Sequence, residues 1–433
     1  MLYWMMGRTL FLLGYATTGL GHLRVTNALL EAAPARLQTS LYQDDGRAAT
    51  AVHRVMSRSP YLRRVMEWMQ DGVPEDIFTR LYRHSMKKSA ESLLRGIGRK
   101  LEGYNSVKRV FFISTHFGLA HQFSFIRHRL SVQSRLVVVV TDDSPQHAWL
   151  VPGADLTVVP SFVTKKGLER YRGKMGWKRQ KIMVNPYPVD IHFRRELTKF
   201  EMKEKLSQVT LPGKAPIRMI VPVSGAAVGM DYVYDISRAL EGMSARHTVT
   251  MISKDTAYTR PYINKLSKYT STRIYTSTDD REVVRLYDKA MTDRVHALEL
   301  TKPSEQAFKA LIEPTKIGGV MLLLTKPVGR QEYDNLKFLE RHGLIPREAQ
   351  QKMLWEMGSP EPLLDMASLW RGVRLPDDPV RAAEFIHWAI KVGVFKAMLG
   401  CHPGAQKDDP HPEELSPDGA TRFWEGIAPL AKG

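Results

Sequence analysis

The stretch Thr9–Asn27, TLFLLGYATTGLGHLRVTN, decides the fold of this chain. Leu10–Leu13 is a short, continuous apolar run, which is typical of a parallel strand covered on both faces. The run is expected to stop at Gly14 and to lead through a glycine-rich loop to His22. A helix with an apolar face is predicted to begin at Leu23 and to end before Pro34. Strand, glycine-rich loop and helix together form the first unit of a doubly wound α/β domain.

The glycine-rich loop indicates where such a domain would bind a ligand. Ligands of doubly wound sheets bind beyond the carboxyl ends of the strands, where a helix N-terminus offers free N–H groups. The spacing of Gly14, Gly19 and Gly21 does not fit G-x-G-x-x-G, so no dinucleotide site is predicted. The loop instead predicts a close backbone approach, with the imidazole of His22 at the mouth of a cleft.

Composition bounds the class of protein and its partners. A chain of 433 residues can form two domains of ordinary size, and 43% hydrophobic with 25% charged residues describes a globular protein. Lys plus Arg minus Asp plus Glu is 63 − 45 = +18, which suits nucleic acid, a phosphorylated substrate or an anionic lipid surface. No helix-turn-helix or RRM signature appears, so no specific nucleic-acid partner is predicted.

Cysteine content and hydropathy bear on location. The single cysteine, Cys401, excludes an internal disulfide framework and a cysteine-based zinc cluster, and it suits a reducing compartment. No stretch reaches the roughly 18 apolar residues of a membrane span. We therefore expect a cytoplasmic protein that meets a membrane, if at all, as a peripheral protein on its inner face.

The pattern of strands and helices occurs twice along the chain. Apolar runs alternate with helical segments, which predicts parallel βαβ construction. The charged stretch Thr198–Pro216 separates the two copies and is the predicted linker. The predicted organisation is an N-terminal Rossmann-like acceptor domain at 1–197, a linker at 198–216, a C-terminal Rossmann-like donor domain at 217–345, and helices with an irregular acidic tail at 346–433. The predicted strands lie at 10–13, 110–114, 136–140, 156–159, 181–184, 218–223, 248–253, 273–275, 295–300 and 319–324.

Several short motifs, in a shared order, resemble those of one group of proteins. Gly19-Leu20-Gly21-His22 resembles a Gly-Gly-His loop, and IMVNPYPV at 182–189 resembles the segment before an interdomain linker. Together they resemble the GT-B fold of nucleotide-sugar glycosyltransferases, in which two Rossmann-like domains face each other across a cleft. The likeness is greatest to monogalactosyldiacylglycerol synthase, processive diacylglycerol glucosyltransferases and the GlcNAc-transferase that makes lipid II. The other matching residues are Thr141-Asp142, His147 and Trp149, Gly153-Ala154-Asp155, and Val159-Pro160-Ser161.

Two motifs of the second half resemble the donor-binding loops of that group, with departures. Lys302-Pro303-Ser304-Glu305 is similar to a K-P-G-G loop, and PVGRQEYDN at 327–335 is similar to PxPGQEExN. The group's K-P-G-G-x-T is K-P-S-E-Q-A here, and the carboxylate expected for the donor ribose falls at Ala310. Because of these departures, the sequence does not identify the sugar or the nucleotide of the donor.

The resemblance implies an inverting, metal-independent transferase that moves a sugar from a nucleotide donor, UDP-linked in that group, to an acceptor hydroxyl. His22 matches the group's base, and imidazole suits the role because its pKa lies near the working pH. Asp142, after a strand end, is the second catalytic candidate, either as the base or as the residue that orients His22. The structural alternatives are a helix-start histidine bonded to backbone and an aspartate that caps the next helix.

Further candidates line the acceptor and donor sides. On the donor side, the N-terminus of a helix predicted at 307–312, after Lys302, is expected to stabilise the pyrophosphate without a metal. Residues of a later helix are expected to bind sugar hydroxyls. The alternatives are structural histidines, a surface lysine and the exposed face of a helix. The predicted acceptor residues are Gly19, Gly21, His116 and His147, and the predicted donor residues are Gly225, Gly229, Lys302, Ser304, Glu305, Gln306, Gln331, Glu332 and Asn335.

No metal and no further cofactor is predicted, because no His/Asp/Glu cluster has metal-ligand spacing. The positive charge concentrates at 54–109 and 165–205, within the predicted acceptor domain. With the apolar residues 3–6, it predicts contact with an anionic membrane surface or a lipid or phosphorylated acceptor; the alternative is a solvated basic face.

Two other classes of protein share this architecture. A non-hydrolysing nucleotide-sugar epimerase would need acid and base groups around the sugar, which the His22 loop and the KPSEQ segment do not suggest. A non-catalytic nucleotide-binding protein is favoured by the altered donor loop. The paired glycine loops and the residues Gln331, Glu332 and Asn335 count against it.

Overall fold

The computed structural model describes residues 9–16, 20–44, 68–70, 72–104, 106–177, 180–223, 229–325, 329–400, 406 and 408–432. The chain divides into a first unit, formed by 1–191, 329–331 and 413–433, and a second unit, formed by 192–328 and 332–412. The strands are β1 (Thr9–Ala16), β2 (Gln38–Asp44), β3 (Arg109–Ser114), β4 (Gln133–Val139), β5 (Leu156–Val159), β6 (Lys181–Val184), β7 (Ile217–Pro222), β8 (His247–Lys254), β9 (Thr272–Ser277), β10 (Leu298–Thr301), β11 (Val320–Leu323) and β12 (Gly372–Arg374). The α-helices are α1 (Leu20–Glu31), α2 (Gly72–Glu102), α3 (Phe117–Ile126), α4 (Phe162–Lys174), α5 (Lys199–Gln208), α6 (Met230–Met243), α7 (Arg260–Leu266), α8 (Asp280–Asp293), α9 (Arg330–Arg341), α10 (Glu348–Trp355), α11 (Glu361–Ala367), α12 (Pro379–Lys391), α13 (Val394–Leu399) and α14 (Gly419–Lys432).

The first unit is built on a six-stranded parallel sheet in the order β2-β1-β3-β4-β5-β6. β1 lies between β2 and β3, and every one of its residues is buried, which agrees with its continuous apolar sequence. The chain leaves β1 toward β2 and returns on the other side as β3, so the topological switch point lies between β1 and β3. No strand is predicted from the sequence at the position of β2, because its half-buried sequence QTSLYQD has no apolar run.

The first strand ends later than the sequence predicts. β1 does not stop at Gly14 but continues to Ala16, and Gly14 lies inside it. A Cβ at Gly14 would lie 2.7 Å from Leu119 Cδ2 and 2.8 Å from Phe123 Cε2. The glycine is therefore needed for the close packing of α3 on the sheet, and the strand ends only at Ala16.

The second unit carries another six-stranded parallel sheet, in the order β12-β11-β10-β7-β8-β9. This is the Rossmann order with its switch point between β7 and β10. Each apolar run predicted in the second half is a strand, whereas the three-residue β12 was missed because so short a strand carries no periodic signal. The prediction of two Rossmann-like α/β domains is confirmed.

A linker and a C-terminal extension are predicted from the sequence. In the structure, these stretches belong to the two units. Residues 198–216 contain α5, whose first turn is closed by a capping box between Thr198 and Glu201, and they belong to the second unit. Residues 346–412 also belong to the second unit. α14 belongs to the first unit, where Trp424 Nε1 donates to the Leu29 carbonyl of α1 at 2.7 Å.

Lys205 of α5 is fully buried in the second unit. Its ammonium donates to the carbonyls of Pro314, at 2.7 Å, and of Lys316, at 3.1 Å. Both acceptors are uncharged, so no opposite charge offsets the desolvation of the ammonium, and burial lowers the pKa of Lys205 from 10.5 to about 7.

This lowered pKa predicts how stability changes with pH. Below pH 7 the lysine is charged in the folded and unfolded chains, and the full cost of burying that charge is present. Between about pH 7 and 10.5 the unfolded chain keeps a proton that the folded chain has lost. The free energy of unfolding should therefore rise with pH in this window, by at most about 1.4 kcal/mol per pH unit from this group.

The K205M variant should lose that rise, and urea unfolding of both proteins at pH 7, 8 and 9 measures it. K337M is the matched control, because the Lys337 side chain is 71% exposed. If the difference in unfolding free energy between the wild type and K205M stays the same at all three pH values, the account of Lys205 is wrong.

Candidate active-site residues at the carboxyl ends of the two sheets

His22 lies at the switch point of the first sheet, in the first turn of α1. The helix begins at Leu20 rather than at the predicted Leu23, so His22 and the half-buried Gly21 are helical and not part of the loop. The His22 carbonyl accepts from Thr26 Oγ1 at 2.7 Å and from Thr115 Oγ1, just after β3, at 3.1 Å. These two hydroxyls hold the start of α1 against the carboxyl end of the sheet.

The half-buried ring of His22 is oriented by Thr141. Thr141 Oγ1 lies 3.3 Å from His22 Nδ1, and the Thr141 carbonyl in turn accepts from Tyr187 Oη at 3.1 Å. The His22 ring also makes edge contacts with His116 and Trp149, with centroids 5.0 and 6.4 Å apart. The Thr141 hydroxyl therefore fixes the orientation of the imidazole through one of its two ring nitrogens.

His116 caps a helix. Its Nδ1 accepts from the Leu119 N–H at 3.3 Å, at the start of α3. Burial, and next the neighbouring imidazole of His22, hold the pKa of His116 well below its usual range. The His116 ring is therefore neutral at physiological pH. Its capping contact is the structural alternative, and its place beside the acceptor stays a prediction.

His147 lies in a 3-10 turn, and its ring, its Nδ1 and its backbone N–H all make contacts. Its ring stacks on Tyr171 with centroids 3.7 Å apart, and its Nδ1 lies 2.8 Å from Asp76 Oδ1 in α2. Its backbone N–H donates to Glu75 at 2.6 Å. Burial lowers the pKa of His147 although Asp76 opposes the shift. These contacts fit the structural alternative better than the predicted acceptor role.

The two aspartates after β4 differ in their surroundings. Asp142 is half-buried and adjacent to Thr141, and its catalytic role stays a prediction. Asp143 is buried and accepts from Thr164 Oγ1 at 2.8 Å and from Ser161 Oγ, the residue that caps α4. Gly19, Gly225 and Cys401, together with residues 3–6, lie outside the described residues.

In the second unit, Gly229 and Lys302 lie at the switch point after β7 and β10. Gly229 adopts φ +83° immediately before α6, and a Cβ there would lie 3.1 Å from Leu324 Cδ1. The half-buried Lys302 forms an ion pair with the buried Glu332 of α9. Asn335, one turn further, donates to the Pro303 carbonyl at 3.2 Å.

These contacts bear on one of the alternatives for this helix, an exposed face, and its role in donor binding stays a prediction. Glu332 and Asn335 are 5% and 1% exposed, so they are not the exposed face of α9. Gln331 is half-buried in the first turn and is grouped with the first unit. Lys302 is paired and half-buried, which distinguishes it from an ordinary surface lysine.

The predicted helix at 307–312 is a 3-10 helix, Glu305–Leu311, so Glu305 and Gln306 lie inside it and only Ser304 precedes it. Its bonds span three residues, as in Ala307 N–H to the Ser304 carbonyl at 2.9 Å. This short, tight helix begins with an acidic residue, and it is a weaker anion site than the predicted helix N-terminus. Gln306 is 4% exposed and its Oε1 accepts no hydrogen bond within the described residues.

Sequence reasoning did not assign a role to three residues that contact His22: Thr115, Thr141 and Trp149. Thr115 and Thr141 follow the ends of β3 and β4. Their position after predicted strands is the sequence feature that could have identified them as candidate site residues. Their contact with a residue of α1 depends on β1, β3 and β4 being neighbours in the sheet.

No protein-family model matches the chain, and no curated protein matches it by sequence. Among solved structures it is similar to a UDP-GlcNAc 2-epimerase from Neisseria meningitidis bound to UDP-GlcNAc, at 10% identity over 98% of this chain and 100% of that chain, with a TM-score of 0.51. It is also similar to MnaA of S. aureus in a UDP co-structure, at 10% identity over 98% and 96%, with a TM-score of 0.50. A UDP-glucosyltransferase from Polygonum tinctorium matches at 12% identity over 98% and 99%, with a TM-score of 0.47.

At these identities the similarity shows the fold alone. The chain has the two-domain α/β fold of the GT-B class, which UDP-sugar glycosyltransferases and UDP-GlcNAc 2-epimerases share.

The Lys302–Glu332 pair generates a stability prediction. K302M leaves the buried Glu332 carboxylate without its lysine, and we expect the free energy of unfolding to fall by about 2 kcal/mol. The K302M/E332Q double variant should recover most of the loss, because it removes the charge as well. Urea unfolding of the three proteins measures both effects.

The matched control is K352M, which breaks an exposed pair with Glu348 one helical turn away. It should cost less than about 0.5 kcal/mol. Equal losses in K302M and K352M would contradict a stabilising role for the Lys302–Glu332 pair.

Proposed function

We propose that this protein is an inverting, metal-independent glycosyltransferase that moves a sugar from a UDP-linked donor to an acceptor hydroxyl. The observation that carries the proposal is the placement of His22 at the switch point of the first sheet, with Thr141 on Nδ1. The GT-B fold and the motifs around His22 and Lys302 support it. UDP and UDP-GlcNAc are the ligands named for two proteins of similar fold.

The proposed reaction is a single displacement. His22 Nε2 takes the proton of the acceptor hydroxyl as the acceptor oxygen forms a bond to the anomeric carbon. The bond between that carbon and the phosphate oxygen breaks on the opposite face, the nucleoside diphosphate leaves with the electron pair, and the configuration inverts. Thr141 orients the imidazole, and Asp142 is the alternative base.

The second unit is proposed to hold the donor. Lys302 would face the leaving diphosphate, after exchanging part of its contact with Glu332, which could then accept from a sugar hydroxyl. Gln306, with a buried carbonyl oxygen that accepts no hydrogen bond from the described residues, suits a ligand hydroxyl or amide N–H. Gly229 allows close approach of the backbone to the donor.

The H22A variant tests the proposal. Turnover of UDP-glucose, UDP-galactose or UDP-GlcNAc with dioctanoylglycerol as acceptor should fall by about 10²- to 10⁴-fold, because the base is lost. Donor binding should be unchanged, so each UDP-sugar should raise the melting temperature of H22A and wild type equally. H128A, which removes an exposed histidine of the same unit, should retain full turnover.

Other outcomes of the same assays identify the alternatives. Conversion of UDP-GlcNAc to its 2-epimer without an acceptor would identify an epimerase. Binding of donors with no turnover by the wild type would identify a non-catalytic nucleotide-binding protein. Full turnover by H22A would exclude His22 as the base.

We further propose that the first unit docks on the anionic inner face of the cytoplasmic membrane and takes a lipid acceptor there. Trp68 and three residues of α2, Val73, Ile77 and Leu81, are between 56% and 67% exposed. Arg80, His84, Lys87 and Lys88 share this helix face, since the spacings of three, four and seven residues recur. Exposed apolar groups flanked by cations suit an interface rich in anionic lipid. Within the described ranges, no helix is long and apolar enough to cross a bilayer.

The I77E/L81E variant tests this docking surface. Its sedimentation with vesicles of phosphatidylglycerol and phosphatidylcholine should fall at least tenfold, because the apolar contact is lost and like charges are introduced. V163E is the control, since Val163 is also half exposed but lies on α4. Equal binding of the wild type to anionic and neutral vesicles would contradict the proposal.

A further inference from the structure

The indole N–H of Trp149 has no acceptor among the residues that the structure describes. The Trp149 side chain is 1% exposed, and its Nε1 makes no hydrogen bond with any part of the chain that the structure describes. Its ring makes edge contacts with His22 and with Phe117, at centroid distances of 6.4 and 5.3 Å. A buried donor without an acceptor is uncommon and calls for an explanation.

His116 supplies a second donor without an acceptor among the described residues, and this one is not fully enclosed. Because Nδ1 accepts from the Leu119 N–H, the proton of this neutral ring is on Nε2. The His116 side chain is 6% exposed, and none of its hydrogen bonds within the described ranges involves Nε2. Its ring meets that of His22 edge to face at 5.0 Å, so both donors belong to the immediate surroundings of the proposed base.

We propose that His116 Nε2–H and Trp149 Nε1–H bind the acceptor substrate through an uncharged oxygen, a hydroxyl or an ester or amide carbonyl, next to the hydroxyl that His22 deprotonates. The role in acceptor binding rests on the proposed function. The observation that these two N–H groups have no acceptor among the described residues does not depend on the proposed function.

The chemistry of the two rings favours an uncharged oxygen over a phosphate. Burial and the neighbouring histidine keep His116 neutral, and the indole of Trp149 carries no charge. A phosphate brought into contact with these two rings would lose its hydration and receive only neutral dipoles in return. A hydroxyl or carbonyl oxygen accepts hydrogen bonds from such neutral N–H groups without leaving a buried charge uncompensated.

The stability of the ligand-free protein gives the first test. W149F removes an N–H that makes no hydrogen bond, so it should leave the melting temperature unchanged or raise it. W424F, the matched control, removes an N–H that donates to the Leu29 carbonyl, and it should lower the melting temperature. An equal loss in the two variants would show that the Trp149 N–H is already bonded, which overturns the proposal.

Ligand binding gives the second test, read from the indole N–H signals of ¹⁵N-tryptophan-labelled protein. The Trp149 signal, assigned with W149F, should shift on addition of dioctanoylglycerol or N-acetylglucosamine and should stay in place with inorganic phosphate. The shift should persist in H22A, so it reports on the donors whether or not His22 is the base. No shift with either uncharged probe, or a shift with phosphate alone, would overturn the proposal.

H116N separates the two roles of His116. Asparagine is a favoured N-cap, and its side-chain oxygen can accept from Leu119 N–H, but it lacks the donor at Nε2. The melting temperature should therefore stay near that of the wild type, while the concentration of probe that half-saturates the Trp149 shift rises at least tenfold. An unchanged half-saturation in H116N would exclude His116 from the site.

Discussion

Parallel pairing of β1 with both β2 and β3 is the constraint on which the first unit depends. The carboxyl ends of β1, β3 and β4 meet at one edge, and the chain segments that follow them bring His22, Thr115 and Thr141 into hydrogen-bonding contact. Gly14 makes this arrangement compatible with α3, since a side chain there would collide with Leu119 and Phe123. Residues that follow the strands of the sheet therefore take part in holding His22 in place.

The second unit stabilises its carboxyl edge by pairing buried charges. Lys302 and Glu332 join the end of β10 to α9, and Asn335 adds a hydrogen bond from the same helix to the Pro303 carbonyl. The same sheet also buries Glu299, which accepts from Tyr287 Oη at 3.0 Å and from Lys309. Charges are costly in such places unless they are paired, so these side chains fix the position of their elements.

The GT-B fold does not by itself choose among activities. Solved structures of similar fold include a UDP-GlcNAc 2-epimerase, at an identity that shows the fold alone. The proposal of glycosyl transfer therefore depends on the side chains around His22 and Lys302. The departures of the KPSEQ segment, and the short 3-10 helix that it forms, are the features that leave the donor least defined.

The sequence by itself determined the two doubly wound sheets and the candidate residues at their ends. Continuous apolar runs such as Leu10–Leu13 and Val110–Ser114 are a direct consequence of burial on both faces, and the polar residues that follow them mark the functional edge. It could not reveal β2, whose half-buried residues lack an apolar run, nor the change from an α-helix to a 3-10 helix at Glu305–Leu311.

Only the tertiary structure decided the partners of each side chain. Thr141 approaches His22 across 119 positions of sequence, His147 pairs with Asp76, and Lys302 with Glu332. Spacing along the chain carries no information about such contacts, because they arise when strands distant in sequence become neighbours. For the same reason, the sequence does not reveal that the N–H donors of His116 and Trp149 beside His22 have no acceptor within the described ranges.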